Sequence, residues 1–311
     1  MFSPLERSIL AALVYFDIFE YPLTLLEIQR YFLPAENQGD KKQYTLGEIR
    51  GALNSSVVLA KVARFKNGYY YLRGKDGNLR NRADKYFYSA AKYRRARKVA
   101  RLLSYMPFVR LIAVCNSLSI SAAGKGSDID LFIVARARGV WWARLFSLLV
   151  LKLLRLRPGQ NGVRDKICLS FFVDDEHLNL APVRAGEEDI YFAYWLGALY
   201  PLYEAGDWYG QLWRANDWLR QILPGARPVL PLALRHFTRV PFFKLAAEAG
   251  LAPLAPLAAW VQRAIFPAAI KNMANLDSRV RIESGLLKFH TNDRRADYNQ
   301  EFFNRLKAIS S

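Results

Sequence analysis

Two cysteines, Cys115 and Cys168, and three histidines, His177, His236 and His290, are all that 311 residues offer of the side chains that build disulfide frameworks and zinc sites. Neither type clusters at metal-ligand spacing, so a disulfide-stapled scaffold and a Cys/His metal site are both excluded. His177 and His236 stand alone and are expected to be structural. Acidic residues are scarce as well, 27 against 45 Lys and Arg, which leaves a formal charge of +18. An excess of that size favours polyanionic partners (nucleic acid, nucleotides, anionic lipid) without naming a reaction. Long apolar runs are lacking too. Arg144 and Lys152 interrupt residues 140–154, and Lys244, Glu248, Arg263 and four prolines interrupt 240–270. A spanning helix needs roughly 20 apolar residues in a row, so no transmembrane segment is expected. These stretches read instead as a buried helix and an apolar helical hairpin, the second able to rest on a membrane surface. The first residues carry Glu6 and Arg7 in place of a secretory signal, and a cytoplasmic location is expected.

What is present is ample for packed cores: 52% of the residues are hydrophobic, and the length favours two or three domains. No internal repeat or low-complexity tract is found. The opening segment reads as helix, turn, helix, turn, helix and hairpin, the order of a winged helix. Residues 4–16 carry Ile9, Leu10, Leu13, Val14 and Phe16 at helical spacing. Thr24 with Glu27, and Thr45 with Glu48, are two capping boxes that start the next helices. Residues 36–43 between them are polar and aperiodic, a loop. Asn67-Gly68 supplies the positive φ angles of a two-residue hairpin turn between 61–65 and 69–73, the wing. Arg50, Lys61, Arg64 and Lys66 are placed to meet phosphates, and Asn54, Ser55 and Ser56 lie on the candidate reading helix. A protein-docking module fits that segment equally well.

Residues 74–81 read as a Gly- and Asn-rich linker, followed by a basic helix over 84–103. Tyr86, Ala90, Tyr93, Arg97, Ala100 and Leu103 share one face, while Arg94, Arg95, Lys98 and Arg101 form a solvated or nucleic-acid-contacting surface. Three apolar runs rich in Val, Ile and Leu, 108–115, 129–134 and 167–173, then read as buried strands, with a long helix over 139–157 between the second and third. Beyond Asp174 the chain reads as all helical, with 189–203 and 208–223 the clearest helices.

The chemistry concentrates around the second strand. Side chains two apart on a strand point the same way, with Cα atoms about 6.5 Å apart, so Asp128 and Asp130 project from one face while Ile129 and Leu131 project from the other. Paired carboxylates repel unless a cation sits between them, and hard oxygen ligands suit Mg²⁺ or Mn²⁺ carrying triphosphate oxygens. Upstream, the first strand ends at Asn116-Ser117, ten residues before Asp128. A strand ending in a small turn plus Ser, a short helix, and then Ser-Asp-Ile-Asp-Leu-Phe-Ile resembles the signature of the DNA-polymerase-beta-type nucleotidyltransferase superfamily.

The resemblance covers about a fifth of the chain and implies roles for particular residues. Ser117, with Asn116 and the backbone N–H groups beside it, would hold the terminal phosphates at the positive end of the following helix. Asp128 and Asp130 would hold the metal that aligns an acceptor hydroxyl for in-line displacement at the α-phosphate. Lys125, in Gly124-Lys125-Gly126, and Ser127 would flank the triphosphate, with ATP the expected nucleotide. This sequence departs from the family twice. Asn116 stands where Gly is usual, and Asn is the non-Gly residue that best tolerates positive φ. The strand 167–173 lacks the third carboxylate; its available face shows Cys168, Ser170 or Phe172, with Asp165 before it. Asp174, of the same parity as Ser170, is taken as the substitute catalytic carboxylate. Without the turn and the spacing, the aspartates would read as only the polar face of a half-exposed strand.

Near the end, 288–295 gathers His290 and three basic groups before a last helix capped by Thr291 or Asn292. A charged helix start at the surface is the simpler reading, and phosphate or acceptor binding with His290 as a base is the other. Together these patterns predict an α/β (α+β) chain in three parts: a winged-helix domain over 1–75, a nucleotidyltransferase domain with a mixed sheet and flanking helices over 80–182, and a helical C-terminal region over 183–311. The expected function is Mg²⁺-dependent transfer of a nucleoside monophosphate from a nucleoside triphosphate to a hydroxyl on RNA, protein or a small molecule. The rival expectation is a degenerate nucleotide-binding domain in a DNA-bound regulator, and a third is a membrane-surface scaffold using 240–270.

Overall fold

The computed structural model describes residues 2–34, 43–159, 162–238 and 241–310. The chain opens with α1 (Pro4–Asp17), which begins on a capping box between Ser3 and Glu6 with Pro4 in its first turn. Its apolar stripe is buried from Ile9 to Phe16. Helices α2 (Leu25–Tyr31) and α3 (Leu46–Ser55) start on the Thr24/Glu27 and Thr45/Glu48 boxes, each reciprocally hydrogen bonded. A short α4 (Val57–Val62) follows directly, starting on Ser56. Strands β1 (Ala63–Lys66) and β2 (Tyr69–Leu72) then pair antiparallel across Asn67 and Gly68, whose φ angles are 53° and 86°. Leu23 pairs with Tyr70, adding one more backbone rung to the hairpin. The polar loop expected over 36–43 lies, apart from Gln43, outside the described residues.

Helix α5 (Gly77–Leu103) runs for 27 residues and begins inside the stretch that composition marks as a linker. Tertiary contacts override the weak helix propensity of its first turn. Asn78 donates to Asp17 at 3.2 Å, and Arg82 pairs with Glu27 at 2.9 Å while donating to the Pro22 carbonyl. The buried face carries Ser89, Lys92, Tyr93, Ala96, Val99, Ala100 and Leu103. Opposite lies an exposed stripe of Phe87, Arg94, Lys98 and Arg101 at helical spacing, and none of these three basic groups has an ion-pair partner among the described residues.

A seven-stranded mixed sheet forms the centre. It contains β3 (Val109–Val114), β4 (Ile129–Ala135), β5 (Ile167–Asp174), β6 (Tyr200–Glu204), β7 (Phe237–Thr238), β8 (Val280–Ile282) and β9 (Leu286–Phe289), in the order β7-β6-β3-β4-β5-β9-β8. β4 and β5 are parallel, as are β6 and β7; the other neighbours are antiparallel. A single-turn helix α6 (Asn116–Ser119) joins β3 to β4, and α7 (Val140–Leu153) crosses between β4 and β5. The later helices are α8 (Ile190–Gly197), α9 (Trp208–Ala215), α10 (Leu219–Ile222), α11 (Phe243–Leu251), α12 (Ala255–Ala264), α13 (Ala268–Met273) and α14 (Arg295–Ser310). One sheet face, with Leu111, Ala113, Phe132, Val134, Phe171 and Val173, shares a core with α1, α8 and α14. The other, with Ile112, Val114, Ile129, Leu131, Ile133 and Phe172, packs on α5, α7 and α12.

The all-helical reading beyond Asp174 is therefore corrected: four of the seven strands lie there. The run 189–203 is not one helix, because Pro201 cannot sit inside a helix without losing a hydrogen bond, and the chain turns into β6 to pair with β3. The run 208–223 likewise breaks into α9 and α10, and 139–157 shortens to α7. Over 240–270 the prolines punctuate three helices, with Phe242, Trp260 and Ile265 exposed. Among the described residues no helix is long and apolar enough to cross a membrane.

Candidate functional site

The site forms where β3 and β4 end side by side. β3 is buried along its whole length and stops at Cys115. Asn116 then turns the chain with φ of 55°, the left-handed conformation expected where the family has Gly. Its side-chain oxygen accepts from Trp195 Nε1 at 2.9 Å, which fixes the turn against α8. Ser117 is exposed, and its hydroxyl has no hydrogen-bond partner among the described residues. Because α6 is a single turn, its dipole contributes little, so anion attraction here falls to the individual N–H groups of the turn.

Asp128 directly precedes β4 and Asp130 is the second residue of the strand. Their carboxylate oxygens and the Cys168 sulfur all lie within 4.8 Å of one another. The register explains the third member: Asp130 faces Cys168 across the parallel β4/β5 pair. Burial, then the charge of Asp128, raises the Asp130 carboxyl to about 6, with hydrogen bonds from Asn116 and Cys168 pulling the other way. Burial also raises Asp128, opposed by its own backbone N–H and by Lys92. Burial, then the two aspartates, holds the Cys168 thiol far above its usual range. The group is thus crowded with potential anions that share too little compensation.

Lys92, unnoticed in the sequence, supports this loop from α5. It is 2% exposed, donates to the Ser127 carbonyl at 2.6 Å and pairs with Asp165 at 2.6 Å. Asp165 is therefore committed to Lys92 rather than to the acidic pair. Ser127 spends its hydroxyl on the Gly124 carbonyl at 3.0 Å, and Lys125 is exposed at the tip of the turn.

Asp174, expected as the third carboxylate, is not brought to the pair. It lies opposite Ala135, five residues along β4 from Asp130 and so roughly 16 Å away at 3.3 Å per residue. The parity argument fails for a definite reason. Between the Asp130/Cys168 and Phe132/Phe171 rungs β5 has one more residue than β4, a bulge that moves the later side chains to the opposite face. Phe171 and Val173 face the α8 side, whereas Phe172 faces the other. Asp174 instead accepts from His177 Nδ1 at 2.5 Å and from the Glu176 N–H at 3.2 Å.

Two cavities meet beside the turn. The larger, about 500 Å³, is walled by Tyr15, Phe16, Tyr31, Tyr194 and Trp195 and floored by Asn116, Ser117 and Ser119. The smaller, about 180 Å³, shares Asn116, Tyr191, Trp195 and Tyr298 with it and extends toward β9 and α14. Its wall includes His290, Lys288 and Arg295; of the segment read as a charged surface cap, Lys288 and Arg295 are buried while Thr291, Asn292 and Arg294 are exposed, and α14 starts at Arg295 rather than just after Thr291 or Asn292. Comparison of the chain with protein-family models, with curated proteins and with solved structures finds no match.

Proposed function

We propose that this chain is a metal-dependent nucleotidyltransferase, moving a nucleoside monophosphate from a nucleoside triphosphate, ATP in the simplest case, to an acceptor hydroxyl. The observation that carries the reading is the close approach of the Asp128 and Asp130 carboxylates at a strand end beside the left-handed Asn116 turn. The donor set fits a divalent cation. Two carboxylates supply hard oxygen ligands, and the raised affinity of Asp130 for a proton shows a pair short of positive charge. Asp128 and Asp130 would hold Mg²⁺ or Mn²⁺, which when bound neutralises triphosphate charge and polarises the reacting phosphoryl group. The protein's own share is positional. Lys92 fixes the Ser127 carbonyl and so the approach to Asp128, while Trp195 fixes Asn116. Ser117, with its unspent hydroxyl, and exposed Lys125 are available to phosphate oxygens, and the cavity above the turn, which Ser117 lines, offers room beside them for part of the nucleotide or acceptor. The order of helices α1 to α4 followed by the β1–β2 hairpin over 4–72 supports a winged helix with a short extra helix before the wing, and the exposed basic stripe of α5 offers phosphates a second contact.

A specific observation favours one alternative. Cys168 occupies the position beside Asp130 where a catalysing member of the resembled family would carry a third carboxylate. A neutral thiol there leaves acceptor deprotonation without a base, and the chain would then bind nucleotide as part of a regulator without turning it over. Incubation with each α-labelled triphosphate and Mg²⁺ or Mn²⁺ separates the two readings. Transfer requires release of pyrophosphate that Asp128→Asn abolishes; saturable metal-dependent nucleotide binding without pyrophosphate identifies the binder. Absence of both rejects the reading.

A further inference from the structure

The smaller cavity carries chemistry that the acidic pair does not use. Lys288 and Arg295 in its wall are 3% and 4% exposed, and Arg294, Asn292 and His290 join them, with Asp293 the only carboxylate of the lining. Most of this charge is spent internally. Arg295 Nε pairs with Asp293 at 3.0 Å, its Nη1 donates to Asp189 at 2.8 Å and to the Val183 carbonyl at 3.1 Å, and Lys288 pairs with Asp293 at 2.8 Å. What remains is specific. Arg295 Nη2 and His290 Nδ1 are buried without a hydrogen-bond partner. The other ring nitrogen of His290 lies 3.1 Å from the Ser170 hydroxyl, which in turn stands next to the Cys168 thiol.

A charged donor left unsatisfied in the interior costs more than the roughly 1–3 kcal/mol of a neutral one, and such a group calls for an explanation. Both unsatisfied nitrogens belong to side chains that line one cavity, although the nitrogens themselves are covered. At about 180 Å³ it has room for roughly six waters of 30 Å³ each, enough for one oxyanion and its hydration. It is well below the roughly 300–1,000 Å³ that encloses a drug-sized ligand, so it does not take a whole nucleotide. The lining selects the sign of the guest, because Lys288, Arg294 and Arg295 stand against the single carboxylate of Asp293, while burial, and then Lys288, hold the His290 ring neutral.

We infer that this cavity binds a phosphate or carboxylate group, through the side chains of Arg295 and His290 and the exposed Arg294 at its rim, and that the group belongs to the acceptor. The assignment to an acceptor rests on the nucleotidyl-transfer reading; the anion site itself does not. Cavity position supports the link, because Asn116, Tyr191, Trp195 and Tyr298 wall both this cavity and the one above Ser117. An acceptor anchored here by an acidic group would reach the Asn116 turn that both cavities share, and Asn116 is hydrogen bonded to Asp130.

Three histidines make the site readable by nuclear magnetic resonance of ¹⁵N-histidine-labelled full-length protein. Inorganic phosphate, acetate and a small phosphomonoester are titrated separately at constant ionic strength without metal. The expected result is a saturable shift of the His290 ring nitrogens with a Kd of about 1 mM for at least one of them, weakened about tenfold in Arg294→Ala. His290→Gln identifies the resonance and weakens phosphate binding measured by calorimetry. Arg295 is left intact because it ties α14 to α8. Shifts that only follow ionic strength, or that persist unchanged in Arg294→Ala, overturn the site. Displacement of bound phosphate by Mg²⁺-ATP in the wild type but not in Asp128→Asn overturns the acceptor assignment, since the anion would then be the nucleotide's own. Phosphate binding that survives in Asp128→Asn and is not displaced by Mg²⁺-ATP supports both parts, and the site stands even if no pyrophosphate is ever released.

Discussion

Removing the charge of Asp130 should stabilise the fold and destroy its response to divalent metal. Displacement of this carboxyl from the ordinary 3.8 to about 6 corresponds, at about 1.4 kcal/mol per tenfold change in proton affinity, to roughly 3 kcal/mol. The sign follows from which state holds the proton more tightly. The folded chain does, so the associated stability is complete below about pH 3.8, and it is lost as the pH rises through about 6. At neutral pH without metal the ionised pair is therefore a net cost. Asp130→Asn removes that cost but also weakens the hydrogen bonding with Asn116 and Cys168, so the expected gain is about 1–3 kcal/mol. Urea unfolding in EDTA between about pH 4 and about pH 8 measures it, with the gap between variant and wild type opening as the pH rises. Added Mg²⁺ or Mn²⁺ should then raise wild-type stability and leave the variant unmoved. A variant less stable than the wild type in EDTA at neutral pH, together with a wild type indifferent to both metals, refutes the reasoning.

Other substitutions probe the neighbouring parts. Cys168→Asp supplies a third carboxylate: Mg²⁺ affinity by calorimetry should rise by about tenfold, while stability in EDTA falls. Glu248→Gln should cost about 3–5 kcal/mol in urea unfolding, because Glu248 is fully buried and binds Arg110 at 2.8 and 2.5 Å and the Phe108 N–H at 2.7 Å. The paired reversal Arg94→Glu with Lys98→Glu should lower single-stranded oligonucleotide affinity by tenfold or more and reduce the slope of log K against log salt by about 1.4, at 0.7 per lost phosphate contact. Equal affinities and slopes in fluorescence anisotropy would remove the stripe as a nucleic-acid surface.

The elements legible in the sequence are those whose signals are local. Two capping boxes, an Asn-Gly turn and the Val- and Ile-rich runs of β3, β4 and β5 each declare themselves within a dozen residues, and each forms. What escaped is decided by distant partners. β6 reads as the tail of a helix until β3, some ninety residues earlier, offers it an edge; β8 and β9 are three and four residues long and exist as strands because β5 leaves an open side. The start of α5 looks like a linker by composition, yet Asp17 and Glu27 hold it helical. At the site, the Asn116 turn and the aspartate pair were visible from spacing. Cys168 was visible only as one of three side chains on a face, because the bulge that selects it over Asp174 depends on pairing and leaves no mark in composition.

Two acids packed against the central sheet, Glu248 on α11 and Asp130 on β4, are treated in opposite ways. Glu248 is surrounded by Arg110, Arg136 and Lys244, and hydrogen bonding with Arg110 and the Phe108 N–H, joined by the nearby cations, holds its carboxyl below the usual range despite burial. Asp130 sits among Asp128, Asn116 and a thiol, and its carboxyl is pushed the other way. Lys92, the one cation acting on Asp128, is already bound to Asp165 and Ser127. With 45 Lys and Arg in the chain, positive charge is not in short supply. An acidic pair left without it at a strand-end turn has the charge deficit that one divalent ion would fill, and a purely structural role gives no reason for that deficit to persist.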